Sequence, residues 1–306
     1  MPELPETETI ARDLDGALRG AVVRSVEVLR ADVLRDPTRG GRALRGAAAA
    51  REAASFEGAL TGTTIVRVWR RAKSIVLGLG ERGSVVVTPR FTGALLLRDA
   101  ERPRTLSSRD HGPRAAAATG AEGDPYSCIL VSLDDGRRLA YRDVRRLGTV
   151  ALLSPAQFTA WDQSLGPEPL DPALTAERFS GILRGSRRAV KSVLMDQARL
   201  AGVGNIYANE SLFAAGLRPT RAAARVSRAQ GAALLAALRE ILRASIAARG
   251  TTFRDYQDAY GGRGGFAAQL QVYGRGGLPC PRCGEPLRET HRLEGRSTVW
   301  CGSCQR

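Results

Sequence analysis

The sequence predicts an α+β fold in which helical and sheet-forming segments follow one another along the chain. Apolar residues recur at helical spacing near the N-terminus. Short β-branched runs separated by Gly, Asp and Arg then extend from residue 22 to about residue 153. Helical spacing returns beyond residue 165, and two Cys-x-x-Cys pairs end the chain. We therefore expect an N-terminal helix, an antiparallel β-sandwich, a helical domain and a C-terminal four-cysteine hairpin.

The N-terminal segment predicts the first helix, because proline and acidic residues favour a first helical turn. Ile10, Leu14 and Leu18 follow at helical spacing and give one apolar face. Gly20 ends the pattern, since glycine is common just past a helix C-terminus. We expect an amphipathic helix over residues 3–19.

The next region contains short runs rich in β-branched and aliphatic residues, each bounded by turn-forming residues. These runs are residues 63–69, 74–77, 84–87, 128–131 and 150–153. Many short strands with turns between them are typical of a β-sandwich or barrel, and we expect the sandwich. The polar stretch 101–125 predicts a long surface loop.

Helices are predicted again in the second half of the chain. Apolar residues on one side predict a helix over 188–200, which the turn Gly202–Asn205 ends, and a second helix over 206–215. Backbone N–H groups at such a turn can bind phosphate, although glycine turns are also common between packed helices. Ser227 begins a capping box for a long third helix.

Four of the five cysteines lie close to the C-terminus. Cys280 and Cys283 form one pair, and Cys301 and Cys304 form the other. This spacing is typical of a tetrahedral four-thiolate zinc site, in which the intervening chain makes a hairpin. Disulfides are the alternative, but a chain without an export signal is expected in a reducing compartment. We predict one structural Zn²⁺ ion, and we assign Cys128 to the core.

These patterns divide the chain into four regions. We expect residues 1–153 to hold the helix and sandwich, 154–165 a linker, 166–262 the helical helix–two-turn–helix domain, and 263–306 the zinc-finger hairpin.

The charge balance favours a polyanionic partner. Lysine and arginine number 46 against 31 acidic residues, so the net charge is +15. Such a charge favours nucleic acid, and a solvated basic surface is the simpler alternative. No apolar run could span a bilayer and the first thirty residues hold no signal segment, so we expect a cytoplasmic protein.

The N-terminus offers a possible nucleophile. If the initiator methionine is removed, Pro2 becomes an N-terminal secondary amine. An α-amino group titrates near pH 8, well below lysine at about 10.4, so a useful fraction is unprotonated and nucleophilic at neutral pH. Its attack on a sugar C1′ would give an iminium, and Glu3 and Glu6 could move protons. The alternative is that all three are ordinary first-turn residues of a helix.

Further motifs run in order along essentially the whole chain. They are Met1-Pro-Glu-Leu-Pro-Glu6, Leu165-Gly-Pro-Glu-Pro-Leu170, Gly202-Val-Gly-Asn-Ile-Tyr-Ala208, Glu210-Ser-Leu-Phe-Ala-Ala-Gly216, Gln271-Val-Tyr-Gly-Arg275 and the four-cysteine finger. Together they resemble the formamidopyrimidine-DNA glycosylase and endonuclease VIII family of base-excision repair enzymes. The Leu-Pro-Glu start and Gly295-Arg-Ser-Thr298 resemble the formamidopyrimidine branch.

The resemblance implies a bifunctional DNA glycosylase and abasic-site lyase. Such an enzyme removes an oxidised or ring-opened purine through a Schiff base on its N-terminal proline, and then cuts the strand by elimination. Pro2 matches this nucleophile, Glu3 the acid/base that assists sugar-ring opening, and Glu6 a second carboxylate. Lys73 matches a lysine that holds phosphate near the lesion.

The resemblance also implies contacts to a damaged duplex. An extruded base leaves a hole that side chains fill, and the matching positions are Phe91, Arg145 and Leu147. Arg145 also matches the residue that inspects the opposite base, often cytosine. Further backbone or lesion contacts match Lys191, Asn205, Tyr273 and Arg296.

Some positions depart from the family pattern. Methionine is usual where this chain has Phe91, and phenylalanine where it has Leu147. Thr88 replaces a phosphate-contacting histidine, and Val144 stands where a proline precedes the arginine pair. These departures leave the glycosylase and lyase chemistry intact and leave the lesion open.

Alternative functions differ in lesion or in chemistry. One is the same reaction on oxidised pyrimidines or another lesion, and another is a non-catalytic homologue that binds damaged DNA. An RNA-binding zinc ribbon would explain only residues 280–304. We expect damaged double-stranded DNA as the partner, no membrane association, a monomer, and a cytoplasmic, nucleoid-associated location of bacterial type.

Overall fold

A computed structural model describes residues 2–37, 43, 45–99, 124–253 and 255–306. Its described residues form two compact units. The first unit takes Pro2, 6–162 and 249–264, and the second takes 3–5, 163–248 and 265–306. The predicted loop over 101–125 falls almost entirely outside the described residues.

The first unit contains two four-stranded antiparallel sheets, which confirms the predicted helix and sandwich. Its helices are α1 (Leu4–Leu18), α2 (Gly46–Leu60) and α3 (Pro155–Gln163). Its strands are β1 (Val23–Val28), β2 (Arg67–Arg71), β3 (Ser74–Gly78), β4 (Ser84–Thr88), β5 (Gly93–Arg98), β6 (Ser127–Leu133), β7 (Arg138–Asp143) and β8 (Thr149–Leu153). The strand orders are β1-β6-β7-β5 and β2-β3-β4-β8.

Alternate residues of both sheets meet in one apolar core. Val85 and Val87 of β4 and Leu95 and Leu97 of β5 belong to this core, at the spacing of two residues that places side chains on one face of a strand. The helical face of α1, with Ile10, Leu14 and Leu18, belongs to the same core. Cys128 is buried there as predicted, and burial raises the pKa of its thiol to about 11.

Two helices of the first unit were not expected from the sequence. Helix α2 is rich in alanine and lacks a strong apolar period, but Phe56 and Leu60 at its C-terminal end reach the core. Helix α3 occupies the segment assigned to a linker over 154–165. Its Phe158 ring packs against Trp69 and Trp161, with centroids 5.7 and 5.4 Å away, and this aromatic contact explains why the segment is ordered.

The second unit is helical around its own core. Its helices are α4 (Ala176–Arg184), α5 (Val190–Met195), α6 (Asn205–Ala214) and α7 (Arg228–Ala247). The helix expected over 188–200 is only α5, because the chain turns at Asp196, whose backbone carbonyl accepts the N–H groups of Arg199 and Leu200. No helix among the described residues is long and apolar enough to cross a membrane.

A hairpin with the four cysteines completes the second unit. Strands β9 (Arg288–Thr290) and β10 (Thr298–Trp300) pair antiparallel, with Thr298 opposite Thr290. A small core of Phe213, Val272, Leu287 and Val299 lies under the hairpin. Phe213 belongs to α6, so this helix supports the hairpin.

Residues 249–264 belong to the first unit, although the sequence assigned positions up to 262 to the helical domain. The Leu97 N–H donates to the Ala259 carbonyl at 2.8 Å, and Tyr256 lies in the sandwich core. These contacts explain the difference.

The N-terminus of α7 carries a complete capping box. The Ser227 hydroxyl accepts the Gln230 N–H, and the Gln230 side chain accepts the Ser227 N–H. We expect Ser227→Ala to lower the free energy of unfolding by about 1 kcal/mol, because one helix donor loses its acceptor. Urea denaturation followed by circular dichroism measures this. Arg228→Ala, at the exposed next position, is the control and should change it far less.

Candidate functional site

Residues 2–6 are buried. Pro2 lies two residues before the start of α1, and the Glu3 side chain has only 2% of its surface exposed. Glu3 Oε1 accepts the Ile206 N–H at 3.0 Å, at the N-terminus of α6. A Cβ at Gly204 would lie 2.3 Å from Glu3 Cδ, so only glycine permits this approach. The turn that the sequence offered as a phosphate site therefore gives one of its donors to Glu3.

Glu6 is held by the turn that follows α7. Its Oε1 accepts the Thr251 N–H at 2.7 Å, and both residues are buried. Gly250 has a φ of +88°, and a Cβ there would lie 3.0 Å from Glu6 Cγ. The Tyr256 hydroxyl donates to the Glu6 carbonyl at 3.4 Å. Burial, with the Glu6 charge nearby, raises the pKa of Tyr256, so the phenol stays protonated.

An ion-pair cluster fixes the same turn from its other side. Arg249 Nη2 lies 2.6 Å from Asp13 Oδ2 of α1 and 2.6 Å from Asp258 Oδ2. Hydrogen bonds to Asp13 and Asp258 raise the pKa of Arg249, so its charge is permanent. Arg249 has a φ of +61°, which L-residues rarely adopt, and the two carboxylates hold it there.

Two loops of the first unit carry the three hole-filling candidates. Phe91 is exposed between β4 and β5, and Arg145 is exposed between β7 and β8. The Arg145 guanidinium lies 5.4 Å from the centre of the Phe91 ring, within cation–π range. Leu147 is half-buried and Val144 is exposed. The structure therefore brings Phe91 and Arg145 into contact.

Lys73 and Thr88 lie at strand ends. Lys73 is half-buried in the turn between β2 and β3, directly after Ala72, whose φ is +53°. Thr88, at the end of β4, shares a hydrogen bond of 2.7 Å between its hydroxyl and that of Ser74. The position where the family pattern has a histidine is thus occupied by a hydroxyl with a partner on β3.

Lys191 is buried against the hairpin, with 1% of its surface exposed. Its Nζ donates to the Ser297 carbonyl and to Thr298 Oγ1, both at 2.8 Å. Burial lowers the pKa of Lys191 to about 7. Asn209 supports the same strand, because its Oδ1 accepts the Val299 N–H at 2.9 Å and its Nδ2 donates to the carbonyl of Asn205. These bonds hold the hairpin residues that follow Arg296.

Tyr273 is positioned by a buried carboxylate that the sequence did not assign a role. Glu210 of α6 accepts the N–H groups of Gln271, Val272 and Tyr273 at 2.7 to 2.9 Å. Only the family-like motif beginning at Glu210 signalled it, because the hydrogen bonds join residues 61 to 63 positions apart.

The four cysteine sulfurs form a compact cluster. All lie within 4.8 Å of one another, with Cys283 and Cys301 at 3.5 Å. Tetrahedral zinc–thiolate bonds of about 2.3 Å place sulfurs about 3.8 Å apart, so the cluster fits a metal ion. Burial alone would raise the pKa of Cys301, but N–H donors from Cys304 and Ser303 outweigh it and lower the pKa to about 7.

The structure divides the candidate residues between its units. Pro2, Glu6, Lys73, Phe91, Arg145 and Leu147 belong to the first unit. Glu3, Lys191, Asn205, Tyr273, Arg296 and the four cysteines belong to the second. Within the second unit Lys191 contacts the hairpin that carries Arg296, and Glu3 and Arg296 both act on its charge.

Two family models match the chain. Residues 1–150 match the formamidopyrimidine-DNA glycosylase N-terminal domain, and residues 165–257 match the H2TH domain of the same enzymes. The chain belongs to the formamidopyrimidine-DNA glycosylase family. The family consists of DNA glycosylases of base excision repair with abasic-site lyase activity, so the chain is an enzyme of this class.

Individual formamidopyrimidine-DNA glycosylases match over the whole chain. The enzyme of Moorella thermoacetica is 40% identical over 94% of this chain and 93% of its own length. That of Desulforamulus reducens is 35% identical over 100% of this chain and 99% of its own. A Lactococcus lactis FPG mutant, solved with Fapy-dG-containing DNA, is 28% identical, covers 100% of both chains and has a TM-score of 0.80.

Burial of Lys191 makes stability depend on pH. Its pKa is about 7 in the folded protein against about 10.4 in the unfolded chain, so the unfolded chain binds more protons between these values. The free energy of unfolding should therefore rise from pH 7 to pH 10 by up to about 1 kcal/mol per pH unit more than in Lys191→Met.

Urea titrations of both proteins at several pH values measure this difference. Lys73→Met, which replaces the only other lysine in the sequence, is the matched control and should keep the wild-type slope. Equal slopes in wild type and Lys191→Met would contradict the buried position of the ammonium group.

Proposed function

We propose that this enzyme removes an oxidised or ring-opened purine from duplex DNA and then cuts the strand at the resulting abasic site. The observation that carries the proposal is the N-terminal pair Pro2–Glu3. Glu3 is buried and fixed by a hydrogen bond to the backbone of α6, and it is joined to Pro2 by a peptide bond. A binding protein without chemistry has no need of a carboxylate held beside its N-terminal amine.

Removal of Met1 exposes the Pro2 secondary amine, whose lone pair forms a bond to C1′ of the damaged nucleotide. The C1′–base bond breaks, and the base leaves with that electron pair and gains a proton. The sugar ring opens to an iminium, which draws electrons from C2′. Loss of a C2′ proton then expels the 3′ phosphate, and this β-elimination cuts the strand.

The two carboxylates at the start of the helix have different proposed roles in these steps. Glu3 is proposed to protonate the ring oxygen and later to accept a proton. Glu6 lies one helical turn further along α1, where the Thr251 N–H stabilises its charged form. It is proposed as the second carboxylate, which balances the positive charge that develops on the iminium.

DNA contacts are proposed for both units. Lys73, Asn205, Tyr273 and Arg296 are half-buried donors suited to phosphate oxygens. Lys191 is buried and bonded to Ser297 and Thr298, so we propose that it orders the hairpin beside Arg296. Phe91, Arg145 and Leu147 are proposed to fill the space of the extruded base. The net charge of +15 supports a DNA partner.

The metal of the four-cysteine cluster is proposed to be a structural Zn²⁺ ion. Four thiolates leave no open position for water, and backbone N–H groups of Arg282 and Cys304 point at the sulfurs of Cys280 and Cys301. Bound zinc would supply a crosslink that orders the hairpin. We also propose that the protein acts as a monomer. The bacterial relatives support a cytoplasmic, nucleoid-associated location.

Oxidised pyrimidines are the second candidate substrate. The Lactococcus lactis FPG has also been solved with DNA containing an oxidised pyrimidine, at a TM-score of 0.79 to this chain. Phe91 and Leu147 exchange the sizes usual at those positions, so lesion preference can differ between close relatives.

Borohydride trapping tests the proposed chemistry. Mixed with duplexes that carry an oxidised purine, an oxidised pyrimidine or an abasic site, the protein should form a covalent adduct that survives denaturation. Mass spectrometry should place the adduct on a peptide that begins at Pro2. Glu3→Gln should lower the rate of trapping by about 100-fold or more on lesion duplexes, since general acid–base catalysis contributes that much.

The trapping experiment has outcomes that contradict the proposal. Absence of an adduct on abasic DNA would rule out a Schiff-base intermediate. An adduct on Lys73 or Lys191 would show that a lysine, and not Pro2, is the nucleophile. Adducts on pyrimidine lesions alone would establish the second candidate. Intact mass shows whether Met1 is removed, and that measurement accompanies every trapping reaction.

Removal of the metal gives a separate prediction. Chelation should unfold residues 270–306 and abolish DNA binding, while the sandwich of the first unit stays folded. Cys283→Ser should bind no stoichiometric zinc, and Cys128→Ser, which changes the cysteine outside the cluster, should retain it. Metal analysis, gel shift and near-ultraviolet circular dichroism report the three effects. Retained DNA binding without metal would contradict the structural role.

A further inference from the structure

The loops that carry the hole-filling candidates share one buried side chain. Asp143 is the last residue of β7, and its carboxylate has 1% of its surface exposed. It makes hydrogen bonds to the loop that holds Phe91 and to the loop that holds Arg145 and Leu147. It therefore links two loops that are more than fifty residues apart in the chain.

Both oxygens of the carboxylate are fully engaged. Oδ1 accepts the Thr92 hydroxyl at 2.5 Å and the Arg145 N–H at 3.2 Å. Oδ2 accepts the Gly148 N–H at 2.7 Å and the Tyr141 hydroxyl at 3.3 Å. Thr92 directly follows Phe91, and Arg145 and Gly148 flank the segment that contains Leu147.

Further contacts tighten this arrangement. Thr92 Oγ1 also accepts the Arg145 N–H at 3.1 Å, so the two loops are joined directly as well as through Asp143. A Cβ at Gly148 would lie 2.0 Å from the Tyr141 hydroxyl oxygen, so glycine is required for this approach. The Arg145 guanidinium over the Phe91 ring continues the contact at the surface.

We propose that Asp143 is the positioning residue that sets Phe91, Arg145 and Leu147 in the arrangement that enters the duplex and tests the base opposite the lesion. The inference rests on the proposed function. It follows from the acceptor count: three donors from the two loops and the Tyr141 hydroxyl of β7 meet two oxygens, and only a carboxylate offers acceptors on both sides. An amide would turn its NH₂ toward two of these donors and leave them unpaired.

The proposal separates base extrusion from the chemistry at C1′. Asp143 is bonded to the loops of the hole-filling residues, whereas Glu6 is bonded to the turn after α7. Loss of the Asp143 acceptors should therefore impair the steps that need Phe91, Arg145 and Leu147, which together form the wedge that enters the duplex. Steps on a substrate with no base to extrude should proceed as before.

Two substitutions test this role. Asp143→Asn keeps the shape and removes one acceptor oxygen, and Thr92→Val keeps the shape and removes the hydroxyl that joins the loops. Thr92→Ser restores the hydroxyl, and Asp135→Asn changes an exposed turn carboxylate of the same unit. Single-turnover excision is measured on duplexes with one lesion opposite each of the four bases. Borohydride trapping is measured on a single-stranded abasic oligonucleotide.

We expect Asp143→Asn and Thr92→Val to slow duplex excision by roughly 10-fold or more, the equivalent of one unpaired buried donor. Their preference for the opposite base should flatten, while single-stranded trapping keeps the wild-type rate. Thr92→Ser should restore the preference, and Asp135→Asn should match wild type. In a Phe91→Ala/Arg145→Ala background, Asp143→Asn should cause little further loss.

Other outcomes overturn the proposal. Equal losses on duplex and single-stranded substrates would show a general structural role, and an unchanged opposite-base preference would remove the link to the wedge. A full further loss in the Phe91→Ala/Arg145→Ala background would do the same. If Asp143→Asn does not fold, Thr92→Val decides the question alone. Failure of wild type to trap any abasic substrate would instead refute the proposed function.

Discussion

The carboxylates of Glu3, Glu6 and Asp143 are almost inaccessible to solvent, and each accepts a hydrogen bond from a distant segment of the chain. Glu3 and Glu6 accept the backbone N–H groups of Ile206 and Thr251, and Asp143 accepts the Thr92 hydroxyl. A buried carboxylate is stable only where donors replace the water it has lost. Any shift of the donating segment would leave charge unpaired, so each carboxylate selects one conformation of a turn. The placement of the N-terminal residues and of the wedge loops depends on this pairing.

Glycine makes the pairing possible in all three cases. Gly204 lies beside Glu3, Gly250 beside Glu6, and Gly148 beside the Tyr141 hydroxyl that also binds Asp143. A Cβ at these glycines would lie 2.3, 3.0 and 2.0 Å from the nearest atom. The backbone can therefore approach closely enough to satisfy each site, and the three substitutions to alanine would act on the site and not only on the turn.

Local patterns predicted the elements whose signal is contained in a few neighbouring residues. The spacing of Ile10, Leu14 and Leu18, the capping box at Ser227 and the two cysteine pairs all correspond to structure. Helix α2 was not predicted, because packing of its C-terminal residues against the core decides it. The helix predicted over 188–200 was too long, because the chain turns at Asp196 and ends α5. Family motifs marked Pro2, Glu3 and Lys73 as site candidates. The roles of Asp143 and Glu210 depend on contacts between distant residues, which leave no period or spacing to detect.

Helix α1 supplies side chains to two cores. Leu4 belongs to the core of the second unit, and Ile10, Leu14 and Leu18 belong to that of the first. Recombination that joined residues 163–306 to a foreign N-terminal half would leave the Leu4 position empty, and a lost buried leucine costs about 2–5 kcal/mol. The first helical turn is therefore part of the C-terminal half in its packing, and a chimera joined at the α3–α4 junction keeps this core filled only if that turn moves with it.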